Sequence, residues 1–152
     1  MSLPAVARAI APMSPAAIAK VRALEAHSLA VVPQVPIVTY HLLHAGMYHR
    51  TITIPKNVTL TGALIKRRTT LTLCGDAVIY TGGEADLHLA GYHVIAASAG
   101  RKQAFHAIED THLTMCFPSS ARTVAEAEAE FTDEAELLFS RRGENVVTNT
   151  GE

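Results

Sequence analysis

Histidines and a tight basic run are the residues of this chain with the most chemistry to offer. His41, His44 and His49 fall close together, and His88, His93, His106 and His112 follow on later segments. Three imidazoles converging inside a barrel would make a metal centre with an open coordination position. The spacing argues against that. His41 to His44 and His44 to His49 are odd separations, which place the rings on opposite faces of a regular strand. His106 and His112 are evenly separated, but Glu109-Asp110 between them predicts a turn or strand cap. The expectation is surface or hydrogen-bonded core histidines and no metal, with His44, His49 and His106 as the fallback ligands. The basic constellation is Lys66-Arg67-Arg68 with Arg50, Arg101 and Lys102. Guanidinium groups grip carboxylate or phosphate bidentately, whereas a solvated hairpin rich in Lys and Arg simply guards a sheet edge.

Other chemistries find less support. Gly82-Gly83 is a hairpin signal and not a phosphate loop. Ser98 and Ser119-Ser120 have no base and orienting acid placed around them by any motif. Cys74 and Cys116 sit in apolar, strand-like surroundings and are expected as reduced thiols. Net charge is -1 and aromatics are 5% of residues, so no nucleic-acid partner is expected. No apolar run approaches the roughly 20 residues that span a bilayer, and the N-terminus lacks the pattern of a secretory signal. No membrane partner is expected, and the cytoplasm is the expected origin.

The elements that must position these residues follow from the patterning. Residues 1–13 are expected as a flexible arm. Ser14-Pro15 is a helix start, a capping hydroxyl followed by a residue whose missing N–H costs nothing in the first turn. Ile18, Val21 and Leu24 recur at helical spacing to about His27, and Pro33 and Pro36 close a helix-and-linker segment over 14–36. From 37 to 118, short runs such as Thr51-Ile52-Thr53-Ile54 and Leu71-Thr72-Leu73 alternate with Gly and Pro breaks, the signature of a sandwich or barrel. Residues 119–142 read as helical again. Thr123-Val124-Ala125-Glu126 is a capping box, and Glu126, Glu128, Glu130, Glu134 and Glu136 predict a solvated acidic face. The Gly-, Asn- and Thr-rich stretch 143–152 is expected as a disordered tail.

Several short motifs resemble a known group. His44-Ala45-Gly46-Met47-Tyr48-His49-Arg50, Ile54-Pro55, Thr61-Gly62, Gly75, Gly100-Arg101-Lys102 and Glu109-Asp110-Thr111 together resemble small cupin-like proteins of tailed bacteriophages and prophages. The resemblance spans roughly 37–138. It implies a mainly β, double-stranded β-helix (a jelly-roll-like barrel) with short N- and C-terminal helices, commonly dimeric. Metal-binding cupins use an H-x-H…E…G motif and a P-x-G-x-x-H motif. Anchored on Gly75, the first puts Arg68 where the Glu stands and Leu60-Thr61-Gly62-Ala63-Leu64-Ile65 across the two His. Anchored on Gly100, the second puts Ser98 for Pro and Gln103 for His. None of these is a good transition-metal ligand.

Three functions follow as expectations. The first is a cofactor-free structural or accessory protein, a homo-oligomer working through protein–protein contacts, with phage structural proteins as partners and residence in the host cytoplasm or virion. The second is a binding protein or enzyme for a small anion, such as a sugar derivative or nucleotide. On the resemblance, Arg50, Lys66, Arg68, Arg101 and Gln103 would then line the barrel rim. The third is a divergent metal-dependent isomerase or dioxygenase built on the histidines.

Overall fold

The computed structural model describes residues 8–151. Of the arm expected over 1–13, residues 1–7 lie outside the described residues, and Arg8–Ile10 forms a strand, β1. Then follow helix α1 (Pro15–Val31), β2 (Thr39–His44), β3 (Met47–Ile54), β4 (Thr59–Thr61), β5 (Thr69–Tyr80), β6 (Leu87–Ala97) and β7 (Ala104–Pro118). Helix α2 (Val124–Phe131), two short 3-10 turns and β8 (Asn145–Asn149) complete the chain. The strands form one mixed sheet in the order β1-β6-β5-β7-β3-β2-β8, and β4 pairs with β7 off that path. No helix among the described residues is long and apolar enough to cross a membrane.

The strands form where side chains alternate. In β5 the alternation buries Leu71 and Leu73 on one side and leaves Thr70, Thr72 and Cys74 on the other. Ala45 and Gly46, both with positive φ, make the tight turn between β2 and β3, with His44 paired to Met47. Such a turn matches the right-handed twist of the strands.

Strand β7 joins the two halves of the sheet, with β5 on one edge and β3 and β4 on the other. Its Thr111–Pro118 half pairs with β3, and its Ala104–His106 end pairs with β4. The register against β5 slips around Asp76. There Gly75 lets β5 meet β7 so closely that a Cβ on it would lie 2.6 Å from the Thr111 Cα. Glu109-Asp110 is thus no turn. Both residues stay within a continuous β7, bent by the bulge, and the Asp110 carboxylate accepts a hydrogen bond from the Lys56 backbone N–H at 2.8 Å. A bulge bends a strand and tightens its twist without ending it.

Inside the curl lies a continuous apolar core that includes Tyr48, Ile54, Leu73, Ile79, Leu89, Ile95, Phe117 and Phe131. Each fully buried Leu, Ile or Phe contributes roughly 1.5–3 kcal/mol. Phe131 anchors α2, its ring stacked on Tyr48 and edge-on to Phe117.

Helix α1 begins as expected, with the Ser14 hydroxyl accepting from the Ala17 N–H at 3.1 Å. It runs to Val31, a turn beyond the expected end, and buries Ala17 and Val21. These pack with Met13 and Ala104, and Ile18 is half-buried beside them. Leu24 stays 38% exposed.

The C-terminal segment departs from two expectations. Residues 145–149 are not a disordered tail: they run parallel to β2 from Thr39↔Asn145 to Leu43↔Asn149. The acidic face is not uniformly solvated either. Glu128 is 1% exposed, Glu130 pairs with Arg67 and Glu134 with Arg22.

Candidate functional site: a barrel cavity with an uncompensated guanidinium

The curled sheet encloses a cavity of about 570 Å³. Inward-facing side chains of β3, β5 and β7 make its walls, among them Ile52, Leu71, Leu113 and Met115. The second half of α1, with Leu24, Glu25 and Ser28, borders it on another side. The lining is chiefly apolar. Its polar members include Glu25, Arg50, Glu134, Glu136 and Arg142 as well as the buried segment Arg101-Lys102-Gln103 that leads from β6 into β7.

Local backbone pairing fixes that segment. The Ile65 N–H donates to the Arg101 carbonyl at 2.8 Å, the Gly100 N–H to the Ile65 carbonyl at 2.8 Å, and the Gly62 N–H to the Gln103 carbonyl at 2.9 Å. All three side chains line the cavity, and their residues are buried, at 1%, 1% and 5% exposure.

Arg101 has only neutral partners. Its Nη1 donates to the Ser98 carbonyl at 2.7 Å and the Arg67 carbonyl at 3.3 Å, and its Nη2 to Thr69 Oγ1 at 2.8 Å. Its Nε has no partner, and neither does Gln103 Nε2. No described carboxylate pairs with Arg101, so burial pushes its pKa down to about 10. Desolvating a charge without a counterion disfavours the charged form. Lys102, by contrast, is satisfied: its Nζ reaches Glu25 Oε2 at 3.0 Å and the Gly62 carbonyl at 2.7 Å. Glu25 also accepts from Thr61 Oγ1 at 3.0 Å, which ties α1 to the cavity mouth.

Arg50 belongs to a different cluster. Its Nη1 lies 3.2 Å from both Glu128 Oε2 and Ser140 Oγ. Its guanidinium stands 5.5 Å from the Phe131 ring centre. Ser140 also donates to Glu128, and Arg141 Nε donates to Glu128 Oε1 at 2.9 Å. This is a buried carboxylate holding two arginines.

The residues expected at a basic rim therefore separate. Arg50, Arg101 and Gln103 line one cavity. Lys66 points outward and pairs with Asp133 at 2.6 Å, and Arg68 is exposed and outside the cavity lining. Arg101, and not Arg68, is the arginine that lines the cavity together with Gln103, so the expectation that Arg68 lines it is corrected. The motif spacing misplaced it because Arg68 precedes β5. Glu25 escaped the sequence reading altogether; nothing in a helical Ala- and Glu-containing stretch marks it as the partner of a lysine in the barrel.

The histidines do not converge. His44 meets Thr150 Oγ1 at 2.9 Å, His49 meets Cys116 Sγ at 3.4 Å and His106 meets Thr59 Oγ1 at 2.8 Å. Among the described residues no three His, Cys, Asp or Glu side chains are grouped to hold a metal ion. Of the carboxylates in the cavity lining, Glu25 is held by Lys102 and Thr61 and Glu134 by Arg22, so neither is free for a resident divalent metal. His41 is the buried exception. Its Nδ1 lies 2.7 Å from the Tyr48 hydroxyl and its Nε2 2.6 Å from Asn145 Oδ1. Asn145 Nδ2 donates to the Ser140 carbonyl at 2.6 Å, which orients the amide. A neutral ring protonated at Nε2 satisfies both contacts, and burial accordingly pushes the His41 pKa down. Burial also pushes the Tyr48 pKa up to about 12.

No protein-family model and no curated protein matches the chain. Solved structures do. A cupin superfamily protein from Desulfitobacterium hafniense is 14% identical, with a TM-score of 0.47 over 60% of this chain and 88% of that one. A conserved protein with a double-stranded β-helix domain from Klebsiella pneumoniae is 13% identical, with a TM-score of 0.47 over 59% and 78%. A DMSP lyase from Ruegeria pomeroyi is 12% identical, with a TM-score of 0.42 over 82% and 83%. The fold is mainly β, with cupin and double-stranded β-helix proteins among its structural neighbours. At these identities and scores no activity carries across.

Proposed function

We propose that the barrel binds a small organic anion, its carboxylate against Arg101 and Gln103 and its apolar part against the walls. The observation that carries this reading is a buried guanidinium with no acidic partner, its Nε unpaired, in the lining of a cavity that also includes a second residue with an unpaired donor, Gln103 Nε2. A buried charge is costly unless it is paired, and a ligand carboxylate would supply both the missing charge and the missing acceptors. Charge-assisted hydrogen bonds of this kind are worth about 1.5–3 kcal/mol each. Sites of ~300–1,000 Å³ with apolar walls and a few convergent polar groups take ligands of metabolite size, and the cavity of about 570 Å³ lies in that range.

The test is a thermal-shift series with linear and aromatic monocarboxylates, each beside its neutral primary amide. A ligand at a hundred times its dissociation constant adds about 2.7 kcal/mol, which raises the melting temperature of a chain this size by roughly 5–10 °C. Carboxylates are expected to outperform the amides, and Arg101→Met and Gln103→Leu to erase that preference when each variant is compared with its own unliganded state. A barrel that answers to no carboxylate at millimolar concentration, or answers equally to amides, overturns the proposal. It would favour the accessory, phage-type structural reading of the same scaffold.

A further inference from the structure

The polarity of the cavity runs opposite to that of an ordinary protein surface. Arg101 and Gln103 in its lining are buried, whereas its rim is apolar. Leu24, Leu29, Val32, Val35 and Leu137 all border it and are between 38% and 57% exposed. Isolated apolar residues on a surface need no explanation, but a collection of them around one opening marks a binding site. The exposed charges of the lining, Glu136 and Arg142, are of opposite sign. They set no net field against an arriving anion.

Helix α1 supplies one wall. Leu24, Ser28 and Val32 recur every four residues with Leu29 beside them, so they form one stripe along the helix. Glu25, at the start of that stripe, meets Lys102 Nζ at 3.0 Å and Thr61 Oγ1 at 3.0 Å. Those bonds tie this end of the stripe to the segment that carries Arg101 and Gln103. Past the helix the lining continues through Pro33 and Val35 to Ile37. Gln34 fixes that linker, its Nε2 donating to the Ser28 and Val32 carbonyls at 3.1 and 3.0 Å. From Glu25 to Val32 the helix rises about 10 Å, the length of an extended chain of roughly nine carbons. A hydrocarbon tail lying there would leave water and cover the rim at once, and each methylene so buried is worth about fourfold in affinity.

Given that the cavity is the anion site proposed for it, we infer that its ligand class is an unbranched alkyl monocarboxylate of about eight to twelve carbons. The carboxylate sits at Arg101 and Gln103, and the tail runs out along the α1 stripe to the Leu29–Val35–Leu137 rim. The experiment is calorimetric titration of the full chain with sodium hexanoate, octanoate and decanoate, each below its micellar concentration. Decanoate is expected to bind on the order of a hundredfold more tightly than hexanoate, through four further buried methylenes. Leu29→Gln combined with Val35→Gln, both at exposed positions, is expected to weaken decanoate about tenfold and to leave hexanoate unchanged. Arg101→Met is expected to weaken all three acids. Equal affinity for the three acids would leave the anion site standing and overturn the alkyl assignment, whereas binding of none would overturn both. A double variant that keeps the full gain with chain length would overturn the tail path. If its sedimentation also differed from that of the parent chain, the rim would be a contact with another protein chain.

Discussion

Replacing Glu128 with Ala removes the carboxylate that holds Arg50, Ser140 and Arg141 together. Glu128 and Arg50 have side-chain exposures of only 2% and 10%, so water cannot take over the role. Breaking a buried pair by removing one partner costs about 3–5 kcal/mol, because the remaining charge stays desolvated. The Arg141 pair adds little, since that side chain is 39% exposed and exposed pairs are worth ~0–1 kcal/mol. At about 2–4 °C per kcal/mol for a chain of this size, the melting temperature falls by roughly 6–20 °C. Urea unfolding read by far-ultraviolet dichroism measures the difference directly, provided the slope with denaturant is unchanged. The double variant Arg50→Met with Glu128→Leu is expected to recover most of the loss, as apolar replacement of a buried pair is often neutral or better. A cost below about 1 kcal/mol for Glu128→Ala, or a double variant as unstable as the single, would refute the view that this pair is a desolvated unit.

Two further outcomes follow from the same reasoning. His41 has its pKa lowered from 6.5, chiefly by burial, so the unfolded chain binds the extra proton first. Its contribution is complete above pH 6.5 and is lost as pH falls through the depressed folded value, so stability should rise with pH across that window. His41→Gln should flatten this part of the stability–pH curve, and an unchanged slope would show that His41 is not its source. Gly75→Ala should destabilise the chain by more than about 2 kcal/mol in denaturant titration, the scale of backbone overlap and core overpacking. The new Cβ would sit 2.6 Å from the Thr111 Cα and 2.7 Å from the Asp110 carbonyl oxygen. A neutral substitution would mean that the bulge is looser than its geometry.

The β architecture was legible because its signal is local. Thr51-Ile52-Thr53-Ile54 and Leu71-Thr72-Leu73 alternate within a few residues, and that alternation is the pleat itself. The helix cap at Ser14 was readable for the same reason. The cap at Thr123 was partly so: its hydroxyl accepts from the Glu126 N–H at 3.2 Å, but the Glu126 carboxylate accepts from the Arg122 N–H instead of the Thr123 N–H. What stayed hidden depends on distant partners. Glu128 looks like every other glutamate in its stretch until Arg50, 78 residues earlier, is brought against it. Asn145–Asn149 is too short and polar to announce a strand, and its pairing edge, β2, lies about a hundred residues upstream, with His41 and Asn145 separated by 104 positions. Arg50, Arg101 and Gln103 line the cavity whereas Lys66 and Arg68 do not, a division that charge and proximity in sequence do not reveal because they do not say which way a side chain turns.

The first and last strands described, β1 and β8, are also the two borders of the sheet, each lying parallel to a single neighbour. All five residues of β8 are exposed, and Asn145 ties the strand to the buried His41 ring. A border strand held this way is exchangeable: the same five residues of another molecule, or a free peptide copying them, present the identical ladder to β2. Any event that peels β8 away, acid at His41 among them, would therefore open an adhesive edge on β2.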